Sequence, residues 1–469
     1  MMQSQTFRAL IRSTGDMRAL AATAVAAALF AAAWPAPAVA AAQASTQAST
    51  QLAESERRFR EVAAYVRARG ELDEQSRTDL VRAAAALDAD LARDALARPE
   101  AVRLLTARAQ AAVLLEDRAS MESAFARLAD LAGRSEAILL AWARERLAFA
   151  DFAGAHALLA SRGFETSRAV DAAIARAEAL VGLDRFEDAQ ALLNRAPAQR
   201  TPQQMSAIVE LSKRIGALKD LWNAELVAIA RDQSRDDLPL VELLTTKGPI
   251  VLELFEDQAY NTVGNFVEHV ERGTYDGTRF HRALRGFGVQ GGDPETASSG
   301  RGGTGSGGWT IPDEPAGAGR RATLLGRVLM ASQPLDQTAA RPRPNSAGCQ
   351  FMILLSHAET LAGDYAPFGR VADGMDTVRE LGPDDSIVSA RMLRKRDRTY
   401  EGVRLSVEAT GDFSMPRKPG TATRALETRI GPAAPPQPQP APQPQVPPQV
   451  IPFDPEDISP RPIPRNPSP

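Results

Sequence analysis

The spacing of apolar residues in this 469-residue chain changes near residue 238. From about residue 55 to residue 231 the sequence is rich in Ala, Leu, Arg and Glu and sparse in glycine, a composition that favours helix. Val170, Ile174, Ala177 and Val181 share one helical face, and the pattern stops at Gly182. Asp184, with Glu187 three residues on, reads as the N-cap of the next helix. Arg231 to Asp237 is charged and aperiodic and reads as a hinge. Beyond it, Leu240 to Leu244 and Ile250 to Phe255 flank Thr246-Lys247-Gly248, a hairpin with turn chemistry. Asn261 to Arg272 returns to helical spacing and ends at Gly273, and short strands with glycine-rich loops continue to Val407. The expectation is a multidomain chain: a helical domain over 55–231, then a closed β-barrel with flanking helices over 238–412.

The helical zone contains an internal repeat. Phe152, Ala155, Ala157, Leu158 and Leu159 recur as Phe186, Ala189, Ala191, Leu192 and Leu193, and a weaker copy lies around Met121 to Leu128. The offset is 34 residues, the period of tetratricopeptide helical hairpins. A plain helical bundle is the alternative, because the aromatic and glycine positions of that family's first helix are mostly missing. A repeat array would offer a surface to a protein partner, and a bundle would serve as a spacer.

The two ends read differently. Arg8, Arg12 and Arg18 precede an apolar run from Leu20 to Ala33, and Ala38-Val39-Ala40 is a small-x-small cleavage site. Residues 1–40 therefore read as a signal peptide followed by a linker over 41–54, which implies export to the periplasm or cell envelope. The apolar run is short of the ~20 residues that span a bilayer, so no stable span is expected after cleavage; an uncleaved anchor is the alternative. Residues 413–469 form a tail expected to be disordered, with 16 prolines in the last 38 positions. A formal charge of −3 with interspersed signs excludes a global field for nucleic acid. The single cysteine, Cys349, rules out an internal disulfide, and the four scattered histidines lack metal-ligand spacing, so neither metal nor cofactor is expected. Gly303 to Gly308 satisfies G-x-G-x-x-G, but no strand precedes it and no helix can follow at Pro312, so it reads as a flexible loop.

The chemistry concentrates in Phe280 to Gly292, F-H-R-A-L-R-G-F-G-V-Q-G-G. One cation (Arg282), one aromatic (Phe287) and one amide (Gln290) fall within reach of a shared groove. This string resembles the signature of the cyclophilins, barrel-type peptidyl-prolyl cis-trans isomerases. Met330-Ala331-Ser332, Gly348 to Met352 and Phe368 to Val371 with Gly374-Met375-Asp376 resemble further family segments in the same order, and the similarity runs from about Leu240 to Thr410. The resemblance implies catalytic roles for Arg282, Phe287 and Gln290. It implies substrate contacts for His281, Ala331, Ser332, Gln350, Met352, Leu361 and Tyr365.

Four positions depart from the family. Ser332 replaces a usual asparagine, Met352 a pocket aromatic, and Tyr365 a frequent histidine. Thr360 stands where eukaryotic members carry a tryptophan, which implies weak inhibition by cyclosporin. Gln333 to Ser346, with Arg341-Pro342-Arg343-Pro344, is a longer loop than the family's. The resemblance implies an isomerase acting on proline-containing polypeptides and assisting the folding of exported proteins. The alternative is a catalytically weak scaffold that grips proline segments and uses its helices as a chaperone.

Overall fold

The computed structural model describes residues 54–69, 72–93, 96–161, 164, 167–299, 302, 305–314, 320–333, 342–365, 367–383 and 385–405. The signal peptide and linker expected over 1–54 lie outside these residues except for Glu54; the proline-rich tail and most of the 333–346 loop also lie outside.

Among the described residues, nine helices come first: α1 (Glu54–Arg69), α2 (Glu74–Leu91), α3 (Arg98–Leu115), α4 (Arg118–Leu131), α5 (Glu136–Ala148), α6 (Phe152–Ala160), α7 (Ser167–Val181), α8 (Phe186–Asn194) and α9 (Pro202–Arg235). Their ends follow from local chemistry. Asp73, Asp117 and Asp151 each accept a backbone N–H three residues on, and Thr201 and Gln204 form a reciprocal capping box behind Pro202. The connections α3–α4, α5–α6 and α7–α8 share one backbone device. Glu116, Ala150 and Asp184 all adopt left-handed φ of 57–60°, each 34 residues after the last. The sequence period is thus written in the backbone as three helix pairs. At Asp184 the structure corrects an expectation: the cap of α8 is Arg185, and Asp184 instead turns the chain. Gly182 is needed because a Cβ there would lie 2.3 Å from the Phe152 ring.

The supposed hinge over 231–237 is also corrected. Helix α9 runs through it to Arg235, and its end is fastened to the following domain. Arg235 pairs with Asp257 at 2.6 Å, Arg394 with Asp236 at 2.8 Å, and Arg396 with Asp237 at 2.8 Å. Charged residues lacked apolar period here because their partners lie on another element.

The second part has strands β1 (Leu240–Thr245), β2 (Gly248–Leu254), β3 (Arg282–Leu284), β4 (Gly288–Gly291), β5 (Arg327–Met330), β6 (Phe351–Leu354), β7 (Pro367–Asp373) and β8 (Ile387–Arg394). They form one antiparallel sheet in the order β3-β4-β6-β5-β7-β2-β1-β8. It is a curled half-barrel rather than the closed barrel expected. β3 is three residues long and pairs as a strand only with β4. The segment just before it meets the start of β8 through the Arg279–Ser386 bridge and three backbone hydrogen bonds, Gly277 N–H to the Ile387 carbonyl, Ile387 N–H to the Thr278 carbonyl and Phe280 N–H to the Asp385 carbonyl.

The hollow of the curl is filled by Val263, Phe266, Val267 and Val270 of α10 (Tyr260–Glu271) against inward strand residues. Phe266 is the hub, with ring centres 5.0–5.5 Å from Phe368, Tyr275 and Phe351. Two short helices, α11 (Glu295–Ser299) and α12 (Met375–Glu380), complete this part. The two cores interlock. Ala150 is buried in the sheet's core with Phe152 against it, while Leu324, just before β5, is buried among Val181, Phe186, Ile215 and Leu218 of the helices.

Candidate active site

Strand alternation and register build the site. Arg282 lies opposite Gln290, Gln290 opposite Met352, and Met352 opposite Leu329, one row across four strands. The neighbouring row, Ala283, Val289, Ile353 and Val328, faces the core, so the first row faces outward. On that outer face a second, smaller apolar cluster forms from Leu329, Met352, Leu354 and Ala358, with Phe287, Leu361 and Tyr365 packed at its margin. A cation, an amide and an apolar hollow are thereby brought to one surface.

The polar side is ordered by a buried carboxylate. Gln290 donates Nε2–H to Gln350 Oε1 at 2.9 Å. Gln350 in turn donates to the Gly305 carbonyl at 2.8 Å and to Asp293 Oδ2 at 3.2 Å. Asp293 is fully buried and also accepts the Glu295 and Gly305 backbone N–H groups. The chain Asp293–Gln350–Gln290 fixes which way the outward amide points. Sequence reasoning gave Asp293 no role; its signal was a carboxylate directly after Gly291-Gly292, the end of the strand that carries Gln290. Gly305 belongs to the loop read as flexible, and the structure instead packs it against this carboxylate.

Tyr365 sits where its phenol is held above the usual range by burial and by Asp364, an effect that the nearby Arg282 guanidinium partly offsets. Its backbone carbonyl accepts from Arg320. Ala331 is tied to the neighbouring strand by its N–H to the Gln350 carbonyl at 2.9 Å, and Ser332 follows it half-buried. Leu361 closes a single 3-10 turn, Glu359–Leu361, whose middle residue Thr360 is exposed. His281 packs against Gly302, which Thr296 also borders. Among the described residues no three His, Cys, Asp or Glu side chains converge as a metal site. The one thiol, Cys349, is buried and pushed up to about 12.

A family model described as cyclophilin type peptidyl-prolyl cis-trans isomerase/CLD matches residues 240–401. A peptidyl-prolyl cis-trans isomerase-like 1 of Rhizopus delemar is 41% identical over 142 residues, 30% of this chain and 79% of that relative. The chain belongs to the cyclophilin family. The isomerase-like 1 proteins of Neurospora crassa, 37% identical over 168 residues, and of Homo sapiens, 38% over 144, are also similar; the chain covers 96% and 80% of them. These matches span 34% and 31% of this cyclophilin, which extends well beyond them. A solved cyclophilin type isomerase of Cryptosporidium parvum is 28% identical, with a TM-score of 0.29, covering 34% of this chain and 99% of its own. The chain is a peptidyl-prolyl cis-trans isomerase, and proline-containing polypeptides are its substrate class.

Proposed function

We propose that this cyclophilin turns over X-Pro bonds in exported proteins, with Arg282 as the decisive donor. The prolyl amide rotates slowly, over a barrier of about 18–20 kcal/mol, because its C–N bond has partial double-bond character. Twisting removes that resonance and leaves a lone pair on the prolyl nitrogen. A guanidinium aimed there stabilises the twisted state more than the planar one, and it keeps its charge at any working pH. Phe287, Met352 and Leu361 would hold the ring, with Ala331, Ser332 and His281 on the neighbouring substrate residues. Gln290, oriented by Gln350, would take the substrate backbone.

The observation that carries this reading is the outward row: Arg282 directly opposite Gln290, and Gln290 opposite Met352 at the apolar cluster. The test is cis-to-trans conversion of a proline tetrapeptide by the full chain and by Arg282→Ala. Loss of about 100-fold or more in kcat/KM supports the donor role. Unchanged turnover in the variant would remove Arg282 from the mechanism, and tight binding without turnover in both proteins would favour the scaffold alternative.

The cellular setting is part of the same proposal. The arginine-flanked apolar run and Ala38-Val39-Ala40 support export to the periplasm or envelope. A mature N-terminus at or near Ala41 is the expected result of N-terminal sequencing, and Met1 or Met17 would refute it. The 34-residue recurrence of left-handed turns supports a tetratricopeptide-like array that selects clients.

A further inference from the structure

Three chain segments form the walls of the outer apolar cluster, and each is held by the helical region. The first is the β3–β4 turn that carries Phe287. Arg285, 8% exposed at its side chain, pairs with Glu145 of α5, which is 9% exposed. Its guanidinium lies 3.9 Å from the centre of the Phe149 ring and donates to the Val113 carbonyl at 3.4 Å. Gly286 follows with φ +68°, and a Cβ there would come within 2.7 Å of the Ala148 carbonyl oxygen. The turn therefore presses backbone to backbone on the end of α5.

The second segment, His357 to Leu361, carries Ala358 and Leu361. His357 Nε2 donates to the Val181 carbonyl at 3.0 Å while Nδ1 accepts the Leu325 N–H at 3.3 Å, a pairing that the neutral Nε2–H tautomer satisfies at both nitrogens. Arg214 of α9 pairs with Glu359 at 2.5 Å and donates to the His357 carbonyl at 3.1 Å. The third segment leads into β5, the strand of Leu329. Arg321 binds Glu225 and Asp232 of α9, Arg327 binds the same Glu225, and both guanidinium groups lie over Phe255. The second and third segments are laced together by Thr323 and Ala358, whose backbone and hydroxyl groups bond in both directions at 2.9 Å.

We propose that the helical region is a positioning element of the isomerase, with Glu145 setting the place of Phe287 through Arg285. The inference rests on the reading of Phe287 as a wall of the proline pocket. Arg285 and Glu145 touch no substrate in that reading; they act by fixing the corner from which the ring projects. Reacting groups displaced by about 1 Å lose on the order of 100-fold in rate, so a loosened corner has a measurable effect. Phe287 contacts the ring in planar and twisted states alike, so its displacement raises KM more than it lowers kcat.

The test uses the full chain with four variants: Glu145→Ala, Glu145→Gln, Arg282→Ala, and Leu87→Ala in the buried core of α2, a residue that makes none of the contacts named above. Glu145→Ala should lose about tenfold in kcat/KM, mainly through KM, and Glu145→Gln, which keeps an acceptor for Arg285, should recover most of it. Leu87→Ala, which loosens the helical core without touching the turn, should keep wild-type kcat and KM at temperatures where it is folded. Wild-type KM in Glu145→Ala, or an equal KM rise in Leu87→Ala, overturns the positioning role while a collapsed Arg282→Ala leaves the active-site reading intact. If Glu145→Ala does not fold, the Gln variant decides: a KM between wild type and threefold higher, with kcat unchanged, agrees with the proposal, and a proportional loss in kcat overturns it.

Discussion

Replacing Glu225 by alanine removes the hub of a buried charge cluster. The carboxylate is 2% exposed and receives Arg321 through Nε at 2.9 Å and Nη2 at 2.5 Å, and Arg327 through Nη2 at 2.5 Å. Arg321 would keep Asp232, but Arg327, 4% exposed, would lose its carboxylate and retain its bond to the Ala322 carbonyl. Burial already pushes the Arg327 guanidinium down to about 10 with Glu225 in place, a sign of how costly that charge is to hold. Breaking a buried pair by deleting one partner costs about 3–5 kcal/mol. With Tm moving about 2 °C per kcal/mol in a unit this large, calorimetry should show a fall of roughly 6–10 °C. The double variant Glu225→Met with Arg327→Met should recover much of that fall, because well-packed apolar groups can replace a buried ion pair at little cost. A Glu225→Ala protein melting within about 1 °C of wild type would refute the reasoning, since an uncompensated buried guanidinium cannot be that cheap.

Two further outcomes follow from groups buried behind the site. The His269 imidazole, stacked 4.4 Å from the Trp309 ring, is pushed down to about 4 by burial, with Arg272 and Arg404 adding to the effect. Its folded value lies below the ordinary 6.5, so on acidification the unfolded chain takes up the proton first. Stability should therefore be full above about pH 6.5 and fall by up to about 3 kcal/mol towards pH 4, and His269→Phe should flatten that loss in urea titrations at pH 7.5 and 5. Cys349, buried and pushed up to about 12, should resist a thiol reagent at pH 8 in the native protein and react with one equivalent on denaturation; rapid native labelling would contradict its burial.

What the sequence revealed depended on how local each signal was. The hairpin of β1 and β2 was legible because alternation and a Thr-Lys-Gly turn lie within sixteen residues, and the turn after α7 because Gly182 ends an apolar face. The row of Arg282, Gln290, Met352 and Leu329 was not legible as a row, since it requires the register between segments some 60 residues apart. The docking of the helices was least visible. Glu145 and Arg285 are charged residues of a kind that reads as solvated surface, and their partnership spans 140 residues of sequence. Glu225 and Asp232, seven apart on one face of α9, were a faint sign that this helix holds carboxylates toward something. Asp184 looked like a cap because its side chain suits one, yet the 34-residue geometry needed it as the left-handed corner.

The order of strands in the sheet has a consequence during synthesis. β1 lies between β2 and β8, and Leu240 pairs with Arg394, roughly 150 residues later. At translation rates of about 5–20 residues per second, one edge of β1 waits on the order of ten seconds for its partner to leave the ribosome. The helices, whose contacts are mostly local, can form well before then. When the sheet does curl, Ala150 and the buried acids of α5 and α9 are already in place to receive it, so the nascent N-terminal half serves as the template on which its own enzyme is assembled.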